Sequence, residues 1–159
     1  DNIHNFNDDI SDWNTSNIEN CWGMFMLSNK FNQSINNWNI SKVKDISFMF
    51  SDSKEFNQSL DKWNTISVIY MEGVFYNTIK FNQSINSWNI SNTEYMDKMF
   101  YKAIEFNQPL DKWNTSNIRF IAGMFKHAKK FNQDLNSWNL RNICDSAGIF
   151  YNATNFNGI

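Results

Sequence analysis

The chain has 159 residues, of which 14 are basic and 16 acidic, so its formal net charge is −2. That balance attracts neither nucleic acid nor an anionic membrane surface, and no apolar run approaches the roughly 20 residues that a transmembrane helix needs. Asparagine is by far the commonest residue type, whereas glycine and proline are scarce. We therefore expect asparagine at turns, since its side chain bonds to nearby backbone. An aromatic fraction of 17% argues against a disordered asparagine-rich tract, because it gives the chain ample apolar surface to bury.

A single repeat length runs through the chain without insertion or deletion. Phe-Asn begins at Phe6, Phe31, Phe56, Phe81, Phe106, Phe131 and Phe156, Trp-Asn at Trp13, Trp38, Trp63, Trp88, Trp113 and Trp138, and a second Phe stands at Phe25, Phe50, Phe75, Phe100, Phe125 and Phe150. A strict period of this length predicts a solenoid whose coils stack around one continuous core. We interpret residues 1–159 as one unit of about six repeats. Because it begins with Asp1 rather than Met, we expect a processed protein or a segment of a longer one.

Residues 16–28 and their equivalents carry the spacing of a helix. The inward positions of the first copy are Ile18, Cys21, Phe25 and Ser28. Steps of 3, 4 and 3 residues are typical of one helical face, and Ser16 with Glu19 fits a capping box at its start. Periodicity leaves open whether this segment is a helix throughout or a short second strand followed by one helical turn.

The segment from residue 33 to 40 has a different pattern. Ile35, Trp38 and Ile40 alternate with asparagines, and no helix-like run is present. We interpret it as an extended strand that pairs in parallel with the same segment of the next coil. The two segments together predict an α/β repeat solenoid, with one parallel β-strand and a short helix or helical turn in each 25-residue coil.

The residue before the repeated Phe-Asn alternates in charge. The column reads Lys30, Glu55, Lys80, Glu105 and Lys130. If the coils stack, neighbouring members lie about 5 Å apart, where opposite charges attract. The alternation therefore supports stacking, although exposed pairs of this kind set register more than stability.

The constant columns are expected to serve structure. The Asn of each Phe-Asn can bond to backbone groups at a turn, and each Trp fills the core while its N–H finds one acceptor. Cys21 and Cys144 lie about five coils apart, or about 24 Å, which is beyond the reach of a disulfide. Both stand on apolar stretches, so we expect two buried thiols.

Residues of catalytic or metal-binding type form no recognisable constellation. His4 and His127 differ in phase, and neither has a cysteine or carboxylate at metal-ligand spacing. A phosphate-binding glycine loop and a nucleophile-elbow serine are both missing from the sequence. We therefore predict that the protein is not an enzyme and that it has no cofactor or metal.

One column that varies between repeats is the candidate binding site. It places Tyr70, Tyr95 and Phe120 one above another between inward columns, with polar residues at both ends. A second column adds Tyr76 and Tyr101, together with Tyr151. An exposed aromatic patch with a polar rim is typical of a contact surface. The alternative is that these rings only cover the scaffold or fill gaps between coils.

The repeat resembles a known family. Phe56–Thr65 reads Phe-Asn-Gln-Ser-Leu-Asp-Lys-Trp-Asn-Thr, and Met71–Thr78 reads Met-Glu-Gly-Val-Phe-Tyr-Asn-Thr. Both resemble the repeat, of about the same length, of mycoplasma-type bacterial surface lipoproteins, which is similar to the BspA-type leucine-rich repeat. The resemblance covers the whole chain, with departures at Asp8, Thr93 and Ser146. It implies leucine-rich-repeat-like right-handed coils used in surface display, adhesion or protein–protein contact, and no catalytic activity.

These observations favour a non-catalytic protein–protein interaction or adhesion module on a cell or particle surface, hence an extracellular or cell-surface location. Its partner would be a protein or a host-surface ligand, with no nucleic acid and no membrane insertion. The alternative is a structural building block that associates end to end, because the chain shows repeat-type sequence at both ends and no polar capping unit.

Overall fold

Stacked coils without regular secondary structure make up the protein, for which the computed structural model describes residues 3–157. Within this range one turn of 3-10 helix covers Ile3–Asn5. All β-type pairing between described residues consists of isolated parallel bridges, one residue per coil. The bridges join Asn20, Asp45, Tyr70, Tyr95, Phe120 and Asp145 in series. Partners hold equivalent positions in successive repeats, so each repeat is one coil that lies in register on the next. The four terminal residues of the predicted 1–159 unit lie outside the described range.

Each coil is a succession of tight turns. In the second coil, the N–H groups of Trp38, Val43, Met49, Ser51, Ser53 and Phe56 donate to the carbonyl three residues earlier, at 2.9–3.1 Å. Asparagine and serine dominate the turn positions because they bond to nearby backbone. The N–H of Ser41, for example, donates to Asn39 Oδ1 at 3.1 Å.

Alternate peptide groups of one segment bond from coil to coil. The N–H groups of Ile46, Phe48, Phe50 and Asp52 donate to the carbonyls of Tyr70, Glu72, Val74 and Tyr76 at 2.7–3.1 Å. The N–H groups of Met49, Ser51 and Ser53 instead donate within their own coil. This alternation puts Phe48 (φ 55°) and Asp52 (φ 60°) in the left-handed region. The same four bonds recur at every junction from Cys21 to Tyr151, always from the earlier coil to the later one.

Two interlocked columns of phenylalanine form the centre of the core. Phe75 is fully buried and lies 5.7 Å from Phe50 and 5.6 Å from Phe100, measured between ring centroids, in its own column. Its nearest partner is Phe81 of the other column, at 3.8 Å. The predicted inward columns are buried in the inner coils. The prediction of one continuous apolar core is therefore confirmed for the described residues.

The tryptophan and asparagine columns have the structural roles predicted for them. Trp88 donates its indole N–H to the carbonyl of Leu60 at 2.9 Å, and the other core tryptophans repeat this bond from coil to coil. Asn57 accepts at Oδ1 both the N–H of Asn82, at 3.0 Å, and the side-chain amide of Gln83, at 3.0 Å. These side chains thereby satisfy backbone groups that no strand or helix pairs.

The prediction of an α/β solenoid with leucine-rich-repeat-like right-handed coils, each holding one strand and a helix or helical turn, is wrong. Among residues 3–157 there is no α-helix, and no β-pairing extends beyond a single residue. The segment 33–40 is not a strand because it turns at Asn36–Asn37, where Trp38 donates to Ile35 at 3.1 Å. This segment bonds to the equivalent segment of the next coil through side chains; for example, the N–H of Lys62 donates to Asn36 Oδ1.

The helix-like spacing of residues 16–28 has a different cause from the one predicted. Cys21, Phe25 and Ser28 each accept the N–H of the residue three positions later, at 2.9–3.2 Å. Successive three-residue turns therefore give nearly the spacing of a helical face. The capping box is also wrong, because the hydroxyl of Ser16 bonds to Asn14 Oδ1 at 2.7 Å and caps no helix.

The alternating charges of the column before each Phe-Asn form ion pairs between coils. Lys80 pairs with Glu55 and Lys130 with Glu105, each across one coil junction, so the alternating ladder is confirmed at these positions.

Both cysteines are free, as expected. Cys21 is buried, and burial raises the pKa of its thiol to about 11. Cys144 is exposed, which contradicts the prediction of a second buried thiol.

Candidate functional site

The predicted aromatic column lies at the segment that carries the parallel bridges. Tyr70 and Tyr95 stack with their ring centroids 5.0 Å apart, and Tyr95 and Phe120 repeat that spacing. The bridge fixes the stack, because each of these residues is itself a bridge partner of the next. Tyr70 is 40% exposed, while Tyr95 and Phe120 are half-buried. The three rings thus form one continuous surface ridge.

The second column forms a shorter stack. Tyr76 and Tyr101 lie 4.6 Å apart, with their rings only 5° from parallel. Tyr151 does not join them, because Lys126 stands between in that column. His127 instead contacts Tyr101 edge-on at 5.5 Å and Tyr151 at 5.7 Å.

Two shallow cavities separate the aromatic columns. One, of about 290 Å³, has Tyr76, Tyr101 and Lys126 among its lining residues. The other, of about 260 Å³, is lined by Glu72 and Asp97, with Phe48 and Asp145 beside them. Lys98 and Ala122 line both cavities, so the cavities form one surface, and two of its residues, Glu72 and Asp97, follow Tyr70 and Tyr95 by two positions in the chain. We call this surface the aromatic face, and it comprises the sequence-predicted residues Tyr70, Tyr95, Phe120, Tyr76 and Tyr101.

Acidic groups occupy the cavity beside the first column. Burial raises the pKa of Glu72, and repulsion from Asp97 and Asp45 adds to the effect. Burial likewise raises the pKa of Asp97, even though its Oδ1 accepts the N–H of Ala122 at 2.6 Å. The charged form of each carboxylate is therefore disfavoured by the fold.

Replacing Glu72 by Gln is expected to raise Tm at pH 7. A carboxylate whose pKa is higher in the folded state binds protons more tightly there, so its contribution to stability falls as pH rises through the interval between the unfolded and folded pKa values. The Tm difference between Glu72→Gln and the parent should therefore shrink as pH is lowered below the usual carboxylate pKa. Thermal unfolding of both proteins, followed by circular dichroism from pH 3 to pH 8, measures this Tm difference. A difference that stayed constant with pH would contradict this origin.

Lys98 and Lys126 line the other cavity, Lys102 lies over the Tyr101 ring beside it, and sequence reasoning found none of the three. Lys98 and Lys102 are exposed, and both have left-handed backbone, with φ of 55° and 56°. Lys126 is half-buried beside the tyrosines. The sequence did contain one indication of these lysines, because Lys98 stands at a position where four of the six coils have glycine. A lysine at a glycine position is a departure that periodicity alone does not explain.

The described part of the chain has neither a metal-binding cluster nor a membrane-spanning helix. Among residues 3–157, no group of three or more His, Cys, Asp or Glu side chains could hold a metal ion. The same range contains no helix with the length and apolar character required to cross a membrane. The aromatic face is therefore the candidate binding surface that is considered for the described residues.

Comparison with known proteins identifies a family by sequence. The family model described as "Mycoplasma protein of unknown function, DUF285" matches twice, over residues 1–71 and 58–159, and so covers the entire chain. Neither curated proteins nor solved structures give a match. The double match fits the mycoplasma-type repeat predicted from the sequence and gives no support to a link with BspA-type leucine-rich repeats.

Proposed function

The chain belongs to this mycoplasma family of repeat domains, and we propose that it is a non-catalytic module for adhesion or protein–protein contact, displayed outside the cell. The observation that carries the proposal is the aromatic face. Three stacked rings stand on a surface whose backbone is fixed by hydrogen bonds at every coil junction. Aromatic side chains held rigidly at a surface supply large contact area at low entropic cost, which is why they are enriched in interfaces.

The difference between the constant columns and the variable bridge column supports the same function. The constant phenylalanines and tryptophans are buried in the inner coils, and the constant asparagines serve backbone groups. The bridge column, by contrast, holds tyrosine and phenylalanine in the middle coils and Asn20, Asp45 and Asp145 at the ends. An apolar centre with a polar rim is the usual composition of a recognition surface.

Binding of the labelled chain to cultured animal cells, measured by flow cytometry, tests the proposal. Combined replacement of Tyr70, Tyr95 and Phe120 by Ser should lower binding at least tenfold, while the far-UV spectrum is unchanged. The single variant Tyr70→Ser, which alters the most exposed ring of the ridge, should fold normally and bind more weakly.

A matched control distinguishes the aromatic face from the rest of the surface. Ser34 and Ser84 are exposed members of one column outside the aromatic face, and replacing both by Ala should leave cell binding as it is in the parent. If Tyr70→Ser and the triple variant bind as well as this control, the proposed contact surface is wrong. The cellular location has its own test: protease added to intact cells should digest the protein, and protection of the chain would overturn surface display.

A second candidate function is a building block in which coils of neighbouring molecules continue the stack. The observation that favours it is that the four backbone hydrogen bonds that recur at each junction from Cys21 to Tyr151 all have their donor in the earlier coil and their acceptor in the later one. In the first coil, the carbonyls of Asn20, Trp22, Met24 and Met26 are the equivalents of those that accept at later junctions. In the last coil, the N–H groups of Ser146, Gly148, Phe150 and Asn152 are the equivalents of those that donate. Four donors and four acceptors in one register match across two copies of the chain, as in pairing at a sheet edge.

Light scattering of the purified chain discriminates between these candidates. If the molar mass grows with concentration, the building block is supported. Leu140 is 49% exposed in the last coil, and Leu140→Lys should then abolish this growth. The control Ser84→Lys adds the same charge at an exposed position in the middle of the stack. A monomer at all concentrations supports the interaction module.

A further inference from the structure

Three lysines surround the stacked pair of tyrosines. Lys98 and Lys126 line the same cavity as Tyr76 and Tyr101, and Lys102 Nζ lies over the Tyr101 ring, 5.5 Å from its centroid. The ion pairs found among residues 3–157 involve Lys80, Arg119 and Lys130 and none of these three lysines. Their ammonium groups are thus not neutralised by an ion pair in the described part of the chain.

Two of these lysines hold their positions at a conformational cost. A residue with a Cβ is strained at positive φ, where glycine is not, and asparagine tolerates that region better than lysine. The column of Lys98 otherwise contains Gly23, Gly73, Gly123 and Gly148, with Phe48 as the other exception. The column of Lys102 holds Asp52, Asn77 and Asn152 in three coils, and Leu27 and His127 in the other two. Such backbone strain at an exposed lysine is consistent with a function for its side chain.

The neighbouring histidine responds to the local charge. Partial burial lowers the pKa of His127, and repulsion from Lys126, Lys102 and Lys129 lowers it further. Glu105, in the charged column, is paired with Lys130. The lysines therefore cluster at this end of the aromatic face, while the carboxylates of Glu72, Asp97 and Asp145 line the neighbouring cavity, which Lys98 also borders.

We infer that the cleft between Tyr76, Tyr101, Lys98, Lys102 and Lys126 binds a sulfated polysaccharide. Lysine ammonium groups are compact point charges that demand no planar, bidentate partner, which suits sulfate groups spaced along a flexible chain. The lysines span two successive coils, so an extended polyanion can run along the stack and meet them in turn. The tyrosines add ring surface and a hydroxyl that exchanges hydrogen bonds with sugar hydroxyls.

The same geometry disfavours a nucleic acid. Single strands are bound by aromatic rings that accept a base on an open face. Tyr76 and Tyr101 are already stacked on each other at 4.6 Å, which leaves no gap for a base. The inference rests on the proposed function as a binding module, whose ligand class it specifies at one end of the aromatic face.

The polysaccharide site is tested by measuring the binding of a fluorescent heparin oligosaccharide by anisotropy, at 50 mM and 300 mM NaCl. Heparin should bind at low salt and more weakly at high salt, because exposed charges are screened. Replacement of Lys98, Lys102 and Lys126 by Gln should weaken binding at least tenfold. The control replaces three other exposed lysines by Gln and should bind within twofold of the parent; its positions are Lys54, Lys62 and Lys112. Equal losses in both triple variants would show that only net charge matters and would overturn the site.

A second variant separates ligand binding from folding. Lys98→Gly with Lys102→Asn places at each position a residue that other coils use there. Its Tm should be no lower than that of the parent, because backbone strain is relieved, while heparin affinity falls at least tenfold. Unchanged affinity, or equal affinity of the parent for single-stranded DNA, would overturn the inference. Cell binding that depends on Tyr70 but not on these lysines would refute the polysaccharide site and leave the proposed function standing.

Discussion

Replacement of Phe75 by Ala should lower the free energy of unfolding by about 3–5 kcal/mol, the range typical of removing a buried aromatic ring. Phe75 has no exposed surface and lies in the middle of its own phenylalanine column, where it packs against the other column. Its ring is 3.8 Å from that of Phe81 and stacks between Phe50 and Phe100. The cavity left behind cannot close easily, because hydrogen bonds fix the spacing of the coils on both sides. Urea unfolding followed by circular dichroism measures the change.

Phe150→Ala is the matched control, since Phe150 occupies the same column in the last coil. It is only partly buried and keeps two of the neighbours, Phe156 at 3.9 Å and Phe125 at 5.6 Å. Its replacement should cost less than half as much, because the site is already open to solvent. Equal losses for the two variants would contradict the view that stability resides in ring stacking within the inner coils.

The stacking of coils could be predicted from the sequence because it depends on period alone. An unbroken repeat length makes each residue lie beside its equivalent in the next repeat, and this is the register of the bridges from Asn20 to Asp145. The identity of the inward columns followed as well, because they are the ones that stay apolar. The charge alternation at Glu55 and Lys80 tested the register independently, and the ion pair between them agrees with it.

The local backbone could not be predicted in the same way. Apolar residues three or four positions apart indicate a helix only if every residue has helical φ, and here residues such as Phe48 and Asp52 have positive φ. Successive turns then give nearly the same spacing of inward side chains. In the segment 33–40, the side chains of Asn and Gln replace the main-chain pairing that a strand would make, so alternation of apolar residues there did not indicate a strand.

The aromatic part of the candidate site was predicted from columns, whereas its basic part was not. Tyr70, Tyr95 and Phe120 are equivalent residues, so the period places them together. Lys98, Lys102 and Lys126 belong to three different columns. Their proximity depends on how the coil folds between residues 98 and 102, which the period does not encode.

Replacement of Gly73 by Ala should lower the free energy of unfolding through two separate effects. Gly73 has a φ of 54°, a conformation that costs an L residue about 1–2 kcal/mol. A Cβ there would also lie 2.6 Å from Phe48 Cδ1, in the coil before. Moving the Phe48 ring away from this position costs about 1–3 kcal/mol more, as for other overpacked sites.

Gly123→Ala isolates the first effect. Gly123 has nearly the same φ, 62°, but the nearest atom to a Cβ would be Lys98 Cγ at 3.6 Å, an ordinary contact. Gly123→Ala should therefore cost only the conformational term, and Gly73→Ala should cost more than Gly123→Ala by the amount that the Phe48 ring imposes. In the double variant Phe48→Gly with Gly73→Ala, measured against Phe48→Gly alone by urea unfolding, the cost should fall to that of Gly123→Ala. Equal costs for Gly73→Ala in both backgrounds would mean that the ring yields freely and that backbone conformation alone selects glycine in this column.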